Sequence, residues 1–285
     1  MNKVFAIIVT YNPDKNKLRN LVGSILCQKI NVIIVDNSDS NSKILIDDCN
    51  IIHLNKNMGI AYAQNKGIDL ARKLNSDSVV FFDQDSIIDT NFFKNIKAKI
   101  SINELAVFVP LIIDSSNQKP LPYIKLDKFG FRKKVFLNIE SEIQLVDIII
   151  SSGTFMNMKT LESIGPMDEE LFIDFVDTDF SFKCRDKNIP IYILPKATIK
   201  HSIGNKSFNF FNYTIFIHDK LRGYYQLRNC LILFKRSYIP KLYISIEFFS
   251  LLFHHCISFF YVKEKVKYLK FLFLGLIDGF KFLIK

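Results

Sequence analysis

No two of the five cysteines stand in a CxxC pair. Cys27, Cys49, Cys184, Cys230 and Cys256 are scattered and odd in number. That argues against a zinc site and a disulfide framework, and it suits a reducing cytosol. No basic n-region, apolar core and cleavage site precede the first strand-like run, so no secretory signal is expected. No internal repeat or low-complexity segment is evident, which sets repeat architectures aside. Tryptophan is absent, and no physical reason for that is apparent; phenylalanine, with 28 residues, is abundant.

Acidic residues are scarce in the last third. Residues 1–199 carry 24 Lys+Arg and 24 Asp+Glu, whereas residues 200–285 carry 14 and 4. The whole net charge of +10 therefore lies at the C-terminal end. Such asymmetry points to an anionic partner there, either a nucleic acid or a membrane surface.

The 285 residues suffice for one large α/β domain, or for a domain with an appendage. At 49% hydrophobic and 23% charged, a packed core is expected and global disorder is not. "KVFAIIVTY" (3–11), "NVIIVDN" (31–37), "NIIHL" (50–54) and "SVVFFDQD" (78–85) read as buried strands. Helical patterns cover 14–28 and 59–74, and the alternation implies a doubly wound parallel sheet. Residues 110–145, with three prolines and a basic cluster at Arg132, Lys133 and Lys134, read as a variable loop region or short hairpin. Strand character resumes over 145–158, a helix is expected within 168–187 and another strand over 189–195.

From about residue 208 the chain is aromatic and basic. Residues 239–262 approach the length of a membrane span. Glu247 and the pair His254 and His255 would be costly at a bilayer centre. Beyond them, Lys263, Lys267, Lys270, Asp278, Lys281 and Lys285 share one helical face. Val266, Leu269, Phe273, Leu276, Phe280 and Leu283 line the other, although Leu274 falls on the basic side. A basic amphipathic helix of this kind suits the interface of an anionic membrane; an ordinary helical subdomain is the alternative.

In open α/β sheets, ligands bind beyond the carboxyl ends of the strands. Thr10, Tyr11 and Asn12 end the first strand, Asp36 and Asn37 the second, and Asp83 and Asp85 the fourth. Two acids spaced by one at a strand tip repel unless something positive joins them. Mg²⁺ or Mn²⁺ would do so; the alternative is that Asp85 or Ser86 caps a following helix. In "FIDFVDTDF", Asp174, Asp177 and Asp179 either favour a helix N-terminus or supply a general base. His201 is either structural or a metal ligand.

These segments resemble the family 2 glycosyltransferases, the large inverting GT-A group. Within it they are similar to the bacterial rhamnosyltransferases of surface polysaccharide assembly. The matching stretches are "IIVTYNPD" (7–14), "VIIVDNSD" (32–39), "NMGIAYAQNKGI" (57–68), "FFDQDS" (81–86), "ISSGTFM" (150–156), "DEELFIDFVDTDFSFKCR" (168–185), "PKATIKHSIGN" (195–205) and "YYQLRN" (224–229). The resemblance implies a GT-A mixed α/β sheet over 1–207; the basic, aromatic composition makes 208–285 a helical C-terminal region expected to associate with a membrane. It implies that Thr10, Tyr11, Asn12 and Asp36 hold the nucleotide, with Asp36 accepting from the pyrimidine ring. Asn57 and Gly59 would flank the nucleotide sugar. Asp83 and Asp85 would be the DXD motif, with Asp85 the main metal ligand and His201 able to join. Asp177 falls where the family places its catalytic base, and Asp179 is the near rival because this chain reads "VDTD". Arg228 would add positive charge near the diphosphate, or else form a structural ion pair.

The implied reaction is transfer of a sugar, L-rhamnose from dTDP-L-rhamnose, with inversion. The implied acceptor is a lipid-linked saccharide at the cytoplasmic face of the membrane. A UDP-hexose or galactofuranose donor is the alternative within the class. A nucleotidyltransferase would need a Gly-rich, basic phosphate loop near the N-terminus, which is missing. A nucleic-acid-binding module is the non-catalytic alternative, but the aliphatic and Phe-rich C-terminal stretch fits lipid better than a phosphate backbone.

Overall fold

The computed structural model describes residues 3–39, 44–99, 105–201, 207–210, 213–216 and 219–284. Its first half alternates strands and helices: β1 (Val4–Thr10), α1 (Lys15–Leu26), β2 (Asn31–Asp36), β3 (Asn50–His53), α2 (Ile60–Lys73) and β4 (Ser78–Asp83). Helix α1 starts where Asp14 accepts from the Asn16 and Lys17 amides, as a capping carboxylate does. Strands β1, β2 and β4 are apolar on both faces because both faces are covered. In the sheet, β3, β2, β1 and β4 lie side by side and parallel.

The second half departs from that pattern. A two-residue strand, β5 (Ile87–Ile88), and a short helix, α3 (Phe92–Lys97), follow β4. No helix therefore begins at Asp85 or Ser86, and the capping reading of that pair is corrected. Next come β6 (Val107–Asp114), the hairpin β7 (Tyr123–Leu126) and β8 (Arg132–Val135), then β9 (Gln144–Val146) and β10 (Phe155–Asn157). Helices α4 (Met158–Ile164) and α5 (Val176–Asp186) precede β11 (Ile191–His201). Strand β10 runs antiparallel between β4 and β6, so the sheet is mixed.

Strand β6 begins just before the stretch expected to be loop or hairpin and runs into it, and only β7–β8 keeps the hairpin. Pro110 makes β6 look like a break, since proline lacks a ladder donor. The fold accommodates it at an irregularity: β11 shifts register between Leu194 and Thr198, opposite Pro110 and Leu111.

Beyond β11 lie the strand pair β12 (Ser207–Phe210) and β13 (Tyr213–Phe216). Three helices follow: α6 (Lys220–Lys235), α7 (Lys241–Tyr261) and α8 (Lys265–Ile284). Cys230, Ile232 and Leu233 of α6, with Tyr243 and Ile244 of α7, join the same apolar core as the sheet. The expected division near residue 207 adjoins segments outside the described residues.

Helix α8 presents three faces where the sequence suggested two. Tyr268, Leu272, Gly275 and Gly279 are buried. A Cβ at Gly275 would sit 2.5 Å from the Tyr224 carbonyl oxygen, and one at Gly279 2.7 Å from Leu231, so these glycines let α8 close on α6. The apolar line through Val266, Leu269, Phe273 and Phe280 stays exposed.

Gly153, in the turn before β10, has φ +80°, and a Cβ there would lie 2.4 Å from the Pro110 ring. Gly153→Ala combines left-handed strain with a clash on a central strand. It should destabilise the fold by about 2 kcal/mol or more, read as a lower denaturation midpoint at unchanged slope. An unchanged midpoint would show that the turn relaxes without cost.

Candidate active site

The carboxyl ends of β1, β2 and β4 open onto one cleft of about 390 Å³. Val9, Thr10 and Tyr11 line it from β1 and its exit, and Asn37 from the end of β2. Asn57 and Gly59 come from the loop before α2, and Asp83, Gln84 and Asp85 from the end of β4. Phe172, Ile173 and Arg222 form the opposite wall. Six of the residues singled out from the sequence, Thr10, Tyr11, Asn57, Gly59, Asp83 and Asp85, thus meet in one place.

Polar side chains hold the loops. Gln84 accepts from the Tyr11 amide at 2.7 Å and donates to the Tyr11 carbonyl at 3.3 Å, which ties the end of β1 to the DXD turn. Buried Asn37 donates to Asn57 Oδ1 at 3.0 Å and to the Gly59 carbonyl at 3.2 Å, and accepts from the Met58 amide at 2.7 Å. Asn12 sits at φ +45° and donates its amide to Ser38 Oγ at 2.8 Å, just outside the cleft lining. Asp36 lies buried behind Thr10. Its carboxylate accepts from Thr10 Oγ1 (3.3 Å) and the Ser38 amide (3.1 Å) and faces His53 Nδ1 at 3.2 Å.

Asp177 lies in the first turn of α5 and is partly exposed. It accepts from the backbone and hydroxyl of Ser151. Desolvation first, and then the charge of Asp83, push its carboxyl up to about 7. Asp83 and Asp177 therefore feel each other although they come from distant parts of the chain. Asp179 does not join them. It is fully buried, with Lys183 Nζ at 2.8 Å and the Tyr238 hydroxyl donating at 2.5 Å.

Arg228 is also placed away from the cleft. Its guanidinium donates to the Glu170 carbonyl and lies 5.3 Å from the Tyr225 ring centroid. The cation that lines the cleft is Arg222, one helical turn and a half earlier in α6, and sequence reasoning missed it. It is bidentate to Asp174, at 2.6 and 3.2 Å. The signal available was the spacing from Arg222 to "YYQLRN", which carries no information on its own about which arginine faces the cleft.

The wall carrying Phe172 is strained. Phe172, Asp174 and Phe175 all have φ between +60° and +65°, a costly region for residues other than glycine. Helix α6 holds them there. The Asn229 amide donates to the carbonyls of Leu171, Ile173 and Asp174 at 2.6, 2.8 and 3.1 Å, and Tyr225 stacks on Phe172 at 4.7 Å. Gly59 is a matching requirement: at φ +87°, a Cβ would lie 2.7 Å from the Phe172 carbonyl oxygen.

Among the described residues no group of three His, Cys, Asp or Glu forms a complete metal site. His201 ends β11, and its side chain lies outside the described residues. The donor set still suits a divalent cation. Asp83 and Asp85 both face the cleft, and Asp83's charge is strong enough to raise Asp177. Mg²⁺ is commonly held by one or two carboxylates with substrate phosphates and water completing the shell.

A mixed sheet with a carboxylate pair on its switch edge, and a third acid within reach of that pair's charge, is the architecture of a GT-A glycosyltransferase. The fold matches GalNAc-T7, solved with UDP, GalNAc and Mn²⁺, with a TM-score of 0.62 and 14% identity over 84% of this chain; this chain spans 49% of that one. It also matches residues 1–349 of TarS from S. aureus, solved with UDP-GlcNAc, with a TM-score of 0.59 and 16% identity over 98% of this chain and 81% of that one. The family profile "Glycosyl transferase family 2" matches residues 5–165. A dTDP-rhamnosyl transferase, RfbF of Shigella flexneri, is 32% identical over 98% of this chain and 96% of its own length. The chain belongs to glycosyl transferase family 2.

The raised carboxyl gives a stability test. Unfolded Asp177 ionises near the ordinary value of about 3.9, and folded Asp177 near 7. Between these values the unfolded state binds fewer protons, so native stability falls as pH rises. Asn does not titrate. In metal-free protein, the melting temperature of Asp177→Asn relative to the native chain should therefore climb from pH 5 to pH 8. A difference that stays flat across that range would show that Asp177 ionises freely.

Proposed function

We propose that this glycosyltransferase moves L-rhamnose from dTDP-L-rhamnose to a hydroxyl of a lipid-linked saccharide, with inversion, in surface polysaccharide synthesis. The observation that carries the reading is that Asp83 and Asp85 face one cleft while Asp177, from a distant part of the chain, lies close enough to Asp83 to feel its charge. The donor assignment is supported by the near full-length similarity to a dTDP-rhamnosyl transferase.

Asp177 takes the proton of the acceptor hydroxyl, a task suited to a carboxylate whose affinity for protons is raised by burial. The hydroxyl oxygen attacks the anomeric carbon from the face opposite the diphosphate. The bond from that carbon to the diphosphate oxygen breaks, and dTDP leaves with the electron pair. Asp83 and Asp85 would hold Mg²⁺ or Mn²⁺, which would supply positive charge to the leaving diphosphate. Arg222 takes the diphosphate role expected of Arg228, because it lines the cleft. Thr10 and Tyr11 lie against the nucleotide, and Asp36 supports them from behind. Asp179 is structural.

The C-terminal helices support a membrane location. Helix α7 is long and apolar enough to cross a membrane by length and composition. Its polar residues are nevertheless engaged within the protein. Glu247 pairs with Arg132, and His255 Nδ1 lies 2.7 Å from the Tyr268 hydroxyl. Phe249, Phe253 and Phe260 of α7, and Phe273 and Phe280 of α8, are exposed. Such a surface suits helices lying in the interface better than a span.

Nucleotide release measured over a panel of nucleotide sugars, with and without Mn²⁺ or Mg²⁺, tests the donor. Metal-dependent release of dTDP from dTDP-L-rhamnose is expected; turnover with UDP-hexoses alone would reject the choice. Asp177→Asn should keep dTDP binding and lose about a hundredfold or more of transfer. Near-normal transfer would remove Asp177 as the base.

The two arginines give an independent comparison. Arg222→Ala should weaken dTDP binding by roughly tenfold or more, as loss of a charge-assisted contact does. Arg228→Ala should change it much less, and the reverse order would restore Arg228 to the diphosphate.

A further inference from the structure

The basic cluster at Arg132, Lys133 and Lys134 has no part in the cleft. It belongs to the β7–β8 hairpin, and the hairpin's tip is held tightly. Asp127 Oδ1 accepts from the Phe129 and Phe131 amides, both at 2.9 Å, and the Asp127 carbonyl accepts from Gly130 at 3.1 Å. Gly130, at φ +95°, is buried against Pro240 and Tyr243 at the start of α7. Arg132 pairs with Glu247, and its guanidinium lies 5.1 Å from the Tyr243 ring centroid. The ribbon is thus docked on α7 in one orientation.

What it leaves uncovered is unusual for a solvated turn. Phe129, Phe131 and Phe136 are 59%, 48% and 72% exposed. Lys125, Lys128, Lys133 and Lys134 are exposed among them. Lys125 stands directly opposite Lys133 in the strand register, an arrangement that repels. Among the described residues no carboxylate lies within ion-pair distance of Lys125, Lys133 or Lys134; Asp127, which feels the Lys133 charge, is already occupied by the turn's amides. The exposed apolar line of α7, through Leu242, Ile246, Phe249 and Phe253, runs one residue out of phase with Tyr243 and Glu247. That places it about 100° around α7 from the face on which the hairpin docks.

We propose that the β7–β8 hairpin is an interfacial anchor that seats Phe129, Phe131 and Phe136 among the headgroups of an anionic bilayer, with its lysines on the lipid phosphates. This extends the membrane reading of α7 and α8 and rests on it. The charge is complementary and the aromatic rings supply apolar area, the combination that fixes peripheral proteins at interfaces. The anchor and the α7 stripe form two sides of one docking surface. A neutral saccharide would use the rings but leave the opposed lysines unneutralised.

The absence of tryptophan from the chain supplies the test. Phe131→Trp in the full-length protein introduces a single tryptophan. Its emission should shift to the blue on adding phosphatidylglycerol-containing vesicles, and brominated lipids should quench it. Pure phosphatidylcholine vesicles should do neither, and added salt should reverse the shift. Separately, the double variant Lys133→Glu and Lys134→Glu should lose about tenfold or more of its partitioning onto the anionic vesicles. Its melting temperature and dTDP binding should be unchanged.

The proposal is overturned if the native chain floats with anionic vesicles while the Phe131→Trp signal stays unshifted and the charge variant partitions normally. It is also overturned if the hairpin changes abolish a dimer or DNA binding instead of vesicle binding. Failure of the native chain to bind vesicles would sink the anchor and the membrane reading together. dTDP binding, measured on the same samples, would show whether the nucleotide-sugar reading survives.

Discussion

Asp83 and Asp177 are separated by most of a domain's length of chain, yet each senses the other's charge in a desolvated corner. Like charges brought together out of water are costly, and the structure keeps them together by rigid means. Strand β4 is buried on both faces and delivers Asp83 at its tip. The Ser151–Gly153 turn fixes Asp177 through Ser151 and meets Pro110 of β6 at a glycine. A cation of substrate-linked phosphate chemistry is the natural complement to such a corner.

The C-terminal region is part of that rigidity. Three left-handed residues in the 172–175 segment shape the far wall of the cleft, and backbone strain of this kind survives only when neighbours over-determine it. Asn229, Tyr225 and Arg222, all on α6, do so. Glycines at 275 and 279 then let α8 pack on α6 at close range, which turns the remaining apolar line of α8 outward. The helix that braces the cleft is thereby packed against α8, whose exposed apolar line faces away from it.

Much of this was legible along the chain. The continuous apolar runs of β1, β2 and β4 identify buried parallel strands because both faces of such strands are covered. Their polar tips identify the switch edge. Thr10, Tyr11, Asn57, Gly59, Asp83 and Asp85 accordingly meet in one cleft. Strand β6 was not legible, because Pro110 reads as a break unless the irregularity in its neighbour β11 is known. The packed face of α8 was obscured for a related reason: glycine contributes nothing to an apolar periodicity, yet here it marks the closest helix approach.

The sequence by itself determined the class of fold, the switch edge and the carboxylate pair, since these follow from local patterns of burial and charge. Only the tertiary structure decided between neighbours of the same chemical type. Asp177 is held by Ser151 within reach of the Asp83 charge, while Asp179, two residues on, is turned into the interior against Lys183 and Tyr238. Arg222 reaches the cleft while Arg228, on the same helix, is held by the Glu170 carbonyl. Two residues along a helix rotate a side chain by about 200°, so such choices depend on which face the packing buries. No spacing within the segment contains that information.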